Sequence, residues 1–371
     1  MTQSKRIGLV GLSAGGSSWA SRSHLSYLNS NPNYTITALQ NSSKESAEAA
    51  AKAWNLPNVS TYGDPESLAR DPNVDIIAVS VNVPQHYKLT KPAIEAGKDI
   101  FVEWPLAKNL AEAEELYKLA QEKGVKTMVG LQARYNPSVI KAREIVKSGK
   151  LGRILQTTMF GHGLLYSPQI PPSYEYTLPV ENGANLLTVP FAHAVDGLAY
   201  VLGELESVSA TLGNLRPELS VIDGDGKELR KAKKTAHDVV SVTGTLVEGG
   251  GVVEITYMGG ISRTDRNFYW EINGTEGSLL LEAVTFGHIQ MYELTVKLIL
   301  GDGEAKKVED VQVEKPGEPD KGDHSFNVGK AWDAWAENSE DIVDFKHAVL
   351  RHKMVDAIYR SAEKGTKEKY L

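Results

Sequence analysis

Cysteine is absent from the 371 residues. Its absence removes disulfides, thiolate metal sites and cysteine nucleophiles together, and fits a reducing compartment. Histidines 86, 162, 237, 288, 347 and 352 lack the compact spacing with carboxylates that a metal site needs, so no metal is expected. No apolar run approaches the roughly 18 residues of a membrane span, which argues against membrane insertion. The opening residues hold only the short apolar run Ile7–Leu12 and then glycines, without the long apolar core and cleavage site of a secretory signal. A cytoplasmic location is therefore expected. Basic residues form no continuous stripe and the formal net charge is −7, a poor electrostatic basis for direct nucleic-acid binding. The chain shows no internal repeat, and it is too long for one ordinary core, so a domain boundary is expected.

What is present divides into two textures. From Arg6 to about Met128, short buried-type apolar runs alternate with amphipathic segments, as in βαβ units. The expected strands are Ile7–Leu12, Thr35–Leu39, Ile76–Val81, Ile100–Val102 and Thr127–Val129; the expected helices include Lys44–Trp54 and Leu110–Lys123, the second stopped by Gly124. A helix then runs from Pro137 to about Lys147. Beyond it come β-branched, period-two segments joined by Gly, Asp and Asn turns: Ile154–Phe160, Val208–Leu212, Val239–Leu246, Val252–Tyr257, Phe268–Ile272, Ser278–Leu281 and Leu294–Leu300. These suffice for one large, mostly antiparallel open sheet. Glu304–Asp323 reads as an exposed loop, and a last helix spans about Ser339–Lys364. The aromatic and proline-rich stretch 165–176 reads either as a lid or as an ordinary rigid loop. The expected fold class is α/β, with a dinucleotide-binding domain over 1–130, an α/β domain over 131–340, and a C-terminal helix and tail over 341–371 that packs back on the first domain.

Gly11, Ser13, Ala14, Gly15 and Gly16 follow the first strand and open a helix, the setting in which a glycine-rich turn binds a pyrophosphate. Gly11 permits the tight turn, and the small residues after it let phosphates approach free N–H groups. Ser13 stands where the second glycine belongs, and a plain flexible loop is the alternative. An acid at the end of the second strand would bind the ribose 2′-hydroxyl of NAD. Instead, Gln40-Asn41-Ser42-Ser43-Lys44 occupies that region, and the first acidic residue of the chain is Glu45. Hydroxyls and a cation suit a 2′-phosphate, so NADP is expected over NAD, with Ser42, Ser43 and Lys44 as its ligands; the bland reading of Lys44 is a solvated charge. Trp19 either covers the cofactor or packs in the core.

Gly8-Leu-Val-Gly11, His86, Ala96-Gly97-Lys98, Phe101-Val-Glu103-Trp104-Pro105-Leu-Ala107, Gly130 to Pro137, His193-Ala-Val-Asp196 and Asn273-Gly-Thr-Glu-Gly277 resemble the glucose–fructose oxidoreductase/inositol dehydrogenase (Gfo/Idh/MocA) family over nearly the whole chain. Within it, Phe-Val-Glu-Trp, Asn182-Gly-Ala-Asn-Leu186 and Phe191-Ala-His193 are most similar to the fungal Gal80-like group, which implies a fungal origin. The resemblance implies a Rossmann domain followed by an open-sheet domain whose outer face serves oligomerisation. It also implies a Glu-Lys-Pro motif beside the nicotinamide and an Asp four residues before a His. Here Glu103 and Pro105 match but Trp104 replaces the lysine; His193 matches but Val189 replaces the aspartate. Neither replacement can titrate. His193 is left as the candidate acid/base, with Tyr135 or substrate as helper; its alternative is a core histidine satisfied by backbone or Asp196. Asp196 is placed in the substrate pocket, and Trp104 is read as an apolar wall against the nicotinamide or as packing. His86 and Glu103 are assigned to the cofactor site.

Two functions compete. One is an NADP-dependent oxidoreductase acting on a small polyol, sugar or other cyclic alcohol/carbonyl compound, as a homo-oligomer. The other is a non-catalytic, Gal80-like transcriptional regulator that binds NAD(P) as a sensor, has a transcription-factor partner and can enter the nucleus. Loss of the lysine and aspartate favours the regulator; the length without long insertions favours the enzyme.

Overall fold

A computed structural model describes residues 4–313 and 324–371 and divides into two compact units, Met1–Leu131 with Asp323–His352, and Gln132–Gly322 with Lys353–Leu371. Residues 324–340, assigned from sequence to the second domain, group with the first, and 353–371 with the second.

The first unit holds six parallel strands: β1 (Lys5–Val10), β2 (Tyr34–Gln40), β3 (Ser60–Tyr62), β4 (Ile76–Val79), β5 (Asp99–Glu103) and β6 (Thr127–Gly130), in the order β3-β2-β1-β4-β5-β6. The order reverses between β1 and β4, the point where such sheets take ligands at their carboxyl ends. Ile76–Val79 is buried along its whole length, which is why it reads as an unbroken apolar run. A π-helical turn, Ala20–His24, runs into α1 (Leu25–Ser30). The other helices are α2 (Lys44–Ala53), α3 (Pro65–Ala69), α4 (His86–Glu95) and α5 (Leu110–Lys123). Asn109 caps α5 by accepting from the Glu112 N–H, and Gly124 at φ 64° ends it.

In the second unit, α6 (Pro137–Lys147) is followed by β7 (Ile154–Gly163), β8 (Gln169–Ile170), α7 (Ala192–Leu202), β9 (Leu205–Gly213), β10 (Glu218–Ile222), β11 (Glu228–Lys233), β12 (Val239–Leu246), β13 (Val252–Gly259), β14 (Phe268–Gly274), β15 (Gly277–Ala283), β16 (Thr295–Leu300) and β17 (Lys307–Val311). Eight strands form one sheet, β17-β16-β15-β14-β7-β13-β12-β9. Only the central β7 and β13 pair in parallel; every other neighbour is antiparallel. β13 alternates strictly, burying Val253, Ile255 and Tyr257 and exposing Glu254, Thr256 and Met258, so one face of the sheet is packed and the other is not. A second sheet, β11-β10-β8, lies beside it in sequence, with Ile170, Leu178, Leu219 and Val221 as its own small core. Within the 165–176 stretch Gln169–Ile170 forms β8 and a 3-10 turn follows over Pro172–Thr177; Ile170 is buried, while Pro168, Gln169 and residues 171–173 are exposed.

Residues 307–311, expected in a loop, form the exposed edge strand β17; 314–323 lie outside the described residues. The last helix, expected from Ser339, starts at Phe345 as α9 (Phe345–Lys364), and a further helix that was not expected, α8 (His324–Ala336), precedes it. Trp332 of α8 fills the first unit's core against Tyr34 and Phe101 at ring separations of 4.9 and 4.8 Å. Val180–Leu202 is apolar and long enough, by length and composition, to match a bilayer span, a stretch that the sequence reading passed over. Within the unit 83% of its best window is buried, as expected for a core helix.

Candidate functional site

Gly11 ends β1 with φ 93°, and its N–H donates to the Gln40 carbonyl at 3.0 Å. A Cβ there would lie 2.3 Å from the Ser80 carbonyl oxygen, so only glycine permits this approach of the β1 and β4 ends. Ser13, in place of a second glycine, is held on both sides. Its N–H donates to Ser18 Oγ at 3.0 Å, and its carbonyl accepts from Trp54 Nε1 at 2.9 Å. The N–H groups of the exposed Ala14 and Gly15 have no partner among the described residues. Gly16, at φ 73°, sits against the Trp54 ring. Trp19 is half-buried at the helix start, edge-on to His324 at 5.6 Å, with the Arg22 guanidinium 5.7 Å from its ring.

At the end of β2, Ser43 Oγ caps α2 by accepting from the Ser46 N–H at 3.2 Å. Ser42 is exposed. Lys44 is exposed too, facing Glu48 at 3.9 Å. Glu45 occupies the same helix start, where its own backbone N–H and the Ser43 hydroxyl hold its carboxyl below the usual range. The local positive charge read from sequence is thus partly neutralised. Asn41 Nδ2 donates to the Leu12 carbonyl at 2.8 Å and to that of Ser46 at 3.2 Å, tying the glycine turn to α2. Gln40 Oε1 and Ser80 Oγ are buried without partners among the described residues. Unpartnered buried acceptors and free loop N–H groups are what a phosphate- and ribose-bearing ligand satisfies, so these residues fit a dinucleotide.

Two residues assigned to the cofactor have other duties. His86 is 0% exposed, with its ring nitrogens 2.7 Å from the Pro105 carbonyl and 2.9 Å from the Val81 carbonyl. It joins the segments after β4 and β5 and has no open edge for a ligand. Burial holds its imidazole below the ordinary pKa. Buried Glu103 accepts from His24 Nε2 at 2.6 Å, while His24 Nδ1 accepts from Trp332 Nε1–H at 3.1 Å. The indole can only donate, so the His24 proton sits on Nε2. Glu103 is therefore the end of a buried three-residue chain, which engages its Oε1. Nothing in the local sequence marks His24 or Trp332 as its partners. Trp104 is buried and tilted against His352, ring centroids 4.7 Å apart; burial lowers the His352 imidazole to about 3, with His86 adding to the effect.

In the second unit, Asn185 Oδ1 accepts from the N–H groups of Leu187 and Thr188 at 3.1 and 3.2 Å, and its Nδ2 donates to Tyr359 Oη at 3.1 Å. This caps a π-helical turn, Leu187–Phe191, that carries Val189 and feeds α7. On α7, His193 is 4% exposed, and its Nδ1 has no partner among the described residues. Burial lowers it to about 3; Asp196 opposes that shift and His288 adds to it. Asp196 itself is 0% exposed and bound in bidentate fashion by Arg134, Nε at 3.1 Å and Nη2 at 2.9 Å. Its carboxylate neutralises a buried guanidinium, which corrects its placement as a substrate contact. Tyr135 is buried in the turn Gln132–Tyr135, which packs on α7. Tyr257 Oη is another buried atom without a partner among the described residues, unmarked in the sequence because its strand reads as core. Among the described residues no group of three or more His, Cys, Asp or Glu is arranged to hold a metal ion.

Comparison with known proteins agrees with this geometry. Residues 5–131 match the model of the oxidoreductase family with an NAD-binding Rossmann fold, and residues 137–283 match that of the Gal80p C-terminal domain. The dehydrogenase aclE of Aspergillus oryzae is 37% identical over 371 aligned residues, 98% of each chain. The galactose/lactose metabolism regulatory protein GAL80 of Saccharomyces cerevisiae is 33% identical over 289 residues, 75% of this chain but 66% of that one. A crystal structure of a super-repressor mutant of Gal80p from Saccharomyces cerevisiae superposes with a TM-score of 0.89 at 27% identity, covering 99% of this chain and 97% of the other. A glycine turn at a Rossmann switch point, the Glu103-Trp104-Pro105 motif, the His193 helix and full-length similarity to a dehydrogenase lead to one conclusion: the chain belongs to the NAD(P)-binding Gfo/Idh/MocA oxidoreductase family, on its Gal80-like side.

Proposed function

We propose that this protein is an NADP-dependent oxidoreductase acting on a small polyol, sugar or other cyclic alcohol or carbonyl compound. The observation that carries the reading is His193, a buried histidine whose Nδ1 has no partner among the described residues, at the one position of the family's Lys, Asp and His that is kept here. Similarity to a dehydrogenase over 98% of both chains supports it.

The N–H groups of Ala14 and Gly15 hold the pyrophosphate, and Ser42, Ser43 and Lys44 meet the 2′-phosphate. Bound nicotinamide supplies or accepts the hydride. In alcohol oxidation His193, as a neutral imidazole, takes the hydroxyl proton of the substrate, and Trp104 gives the motif an apolar, untitratable side chain in place of an ammonium. The protein works in the cytoplasm as a homo-oligomer joined through the open face of the eight-stranded sheet. Pure protein with NADPH or NADP and a panel of sugars, polyols, ketones and imines, followed by reduced-nicotinamide absorbance, tests the assignment. Turnover with any of these compounds supports it. Silence across the panel, with NADP still bound, favours the second reading: a regulator that keeps the dinucleotide as a sensor and acts on a transcription factor in the nucleus. The observation behind that alternative is the pair Trp104 and Val189, which removes two titratable groups at once.

A further inference from the structure

The departure from the glycine pattern at Ser13 has a structural counterpart outside the motif. Trp54, the residue that follows α2, reaches the glycine turn from a different element: its Nε1–H donates to the Ser13 carbonyl, and its ring lies where a Gly16 side chain would point. Ser18 works from the other side. Its Oγ accepts from the Ser13 N–H at 3.0 Å and from the Ser21 N–H at 3.3 Å, and donates to Ser21 Oγ at 3.2 Å. One hydroxyl thus caps the start of the first helix and clasps the loop that precedes it. Ser13 itself spends neither of its backbone groups on a ligand. The neighbouring N–H groups of Ala14 and Gly15 remain unpartnered and exposed among the described residues.

We propose that Trp54 and Ser18 are positioning residues of the dinucleotide site: they clamp the two backbone groups of Ser13 and so present the Ala14 and Gly15 N–H groups, ready-ordered, to a pyrophosphate. The proposal rests on the dinucleotide reading of this turn but not on the choice between NAD and NADP. A turn that carries Gly11, Gly15 and Gly16 is free to leave the bound backbone conformation in the absence of other restraints. Two side-chain hydrogen bonds to one residue supply the restraint, and ordering the loop before binding removes that cost from the affinity.

Trp54→Phe keeps a ring beside Gly16 and removes only the N–H; Ser18→Ala removes the acceptor. Calorimetry on the full chain should show NADP and NAD binding weakened about three- to tenfold by each variant, the size of one hydrogen bond, with adenosine 2′-phosphate and adenosine, which lack the 5′-phosphate, changed less than about twofold when measured by competition. The double variant should lose less than the product of the two, because both act on one residue. Amide hydrogen exchange without ligand should quicken in the peptide covering residues 11–18 and stay unchanged in β4 and β5. Equal losses on the dinucleotides and on these two smaller ligands would mark a general disturbance and overturn the proposal, as would unchanged exchange in the loop. Wild type that takes NAD and NADP equally defeats the cofactor preference, while a Trp54→Phe loss on both still supports the clamp. Wild type that binds neither overturns both.

Discussion

His193 and His352 share an unusual condition, each buried and lowered to about 3. An unfolded chain binds a proton at these residues near pH 6.5, whereas the folded one resists it. Folding stability is thus fully present above about 6.5 and falls as pH drops toward 3, by up to about 1.4 kcal/mol per pH unit for each histidine. Urea melts at pH 7, 6 and 5 should show the decline, and His193→Asn should flatten it; a pH-independent midpoint would contradict the burial. The same lowered pKa means that, in the alcohol-oxidising direction, His193 remains the neutral base from pH 8 down to 5, without the inflection near 6.5 that an exposed imidazole gives. If the protein is an enzyme, His193→Ala should cut turnover roughly 100-fold or more with NADP affinity unchanged, as for loss of a general acid/base; stopped-flow nicotinamide absorbance reads both. At this scale the sequence conveyed which residues matter better than what they do. Trp104, Glu103, His86 and Asp196 all stand in or beside the family motifs, yet Asp196 is engaged by Arg134 and Glu103 by His24, 62 and 79 residues away, and His86 by the nearer carbonyls of Val81 and Pro105. Side-chain partners at such separations leave no periodic trace.

Secondary elements were legible where one local rule decided them. Buried apolar runs gave the five longer strands of the first sheet, and apolar residues at three and four spacing with a Gly stop gave α5 to the residue. β3 was missed because three half-buried residues make no pattern, and β11 and β17 because charged, exposed edge strands look like loops. α8 escaped because its apolar positions serve a core built by residues some 300 positions earlier, with Trp332 on Tyr34. The π-helical turn before His193 had no signature beyond Asn185. Asn185→Ala removes the acceptor for two backbone N–H groups and the contact with Tyr359, and should cost about 1–3 kcal/mol in urea unfolding. Asn185→Asp keeps the acceptor and should recover most of that loss. Ser43→Ala removes the α2 cap and should cost about 1 kcal/mol, together with some NADP affinity if the 2′-phosphate lies there.

For the whole molecule, the two-domain α/β plan and the large mixed sheet were readable because alternation and turn residues repeat through the second half. The boundaries were not, since the residues that cross back to the first unit lie far along the chain. On the open side of the large sheet, Phe160 and Tyr269 stack at 5.9 Å, and Val252 and Met258 are 47% and 39% exposed. Light scattering at micromolar concentration should therefore give more than one subunit mass, and Phe160→Asp with Met258→Asp should reduce it to one; a wild-type monomer would contradict the oligomer. The parallel pairing of β7 with β13 also has a consequence for how the chain is made. β7 is complete at Gly163, but its neighbours begin only at Val252 and Phe268. At ribosomal speed the central strand waits on the order of 5–20 s for both edges to be covered. Its ten residues, Ile154–Gly163, include no Asp, Glu, Lys or Arg to discourage pairing with another chain. Nascent chains halted after Gly163 should thus engage holding chaperones or aggregate, whereas chains halted well past Gly274, with that residue clear of the ribosome, should not. The strand that anchors the finished sheet is the one most exposed while the protein is still being born.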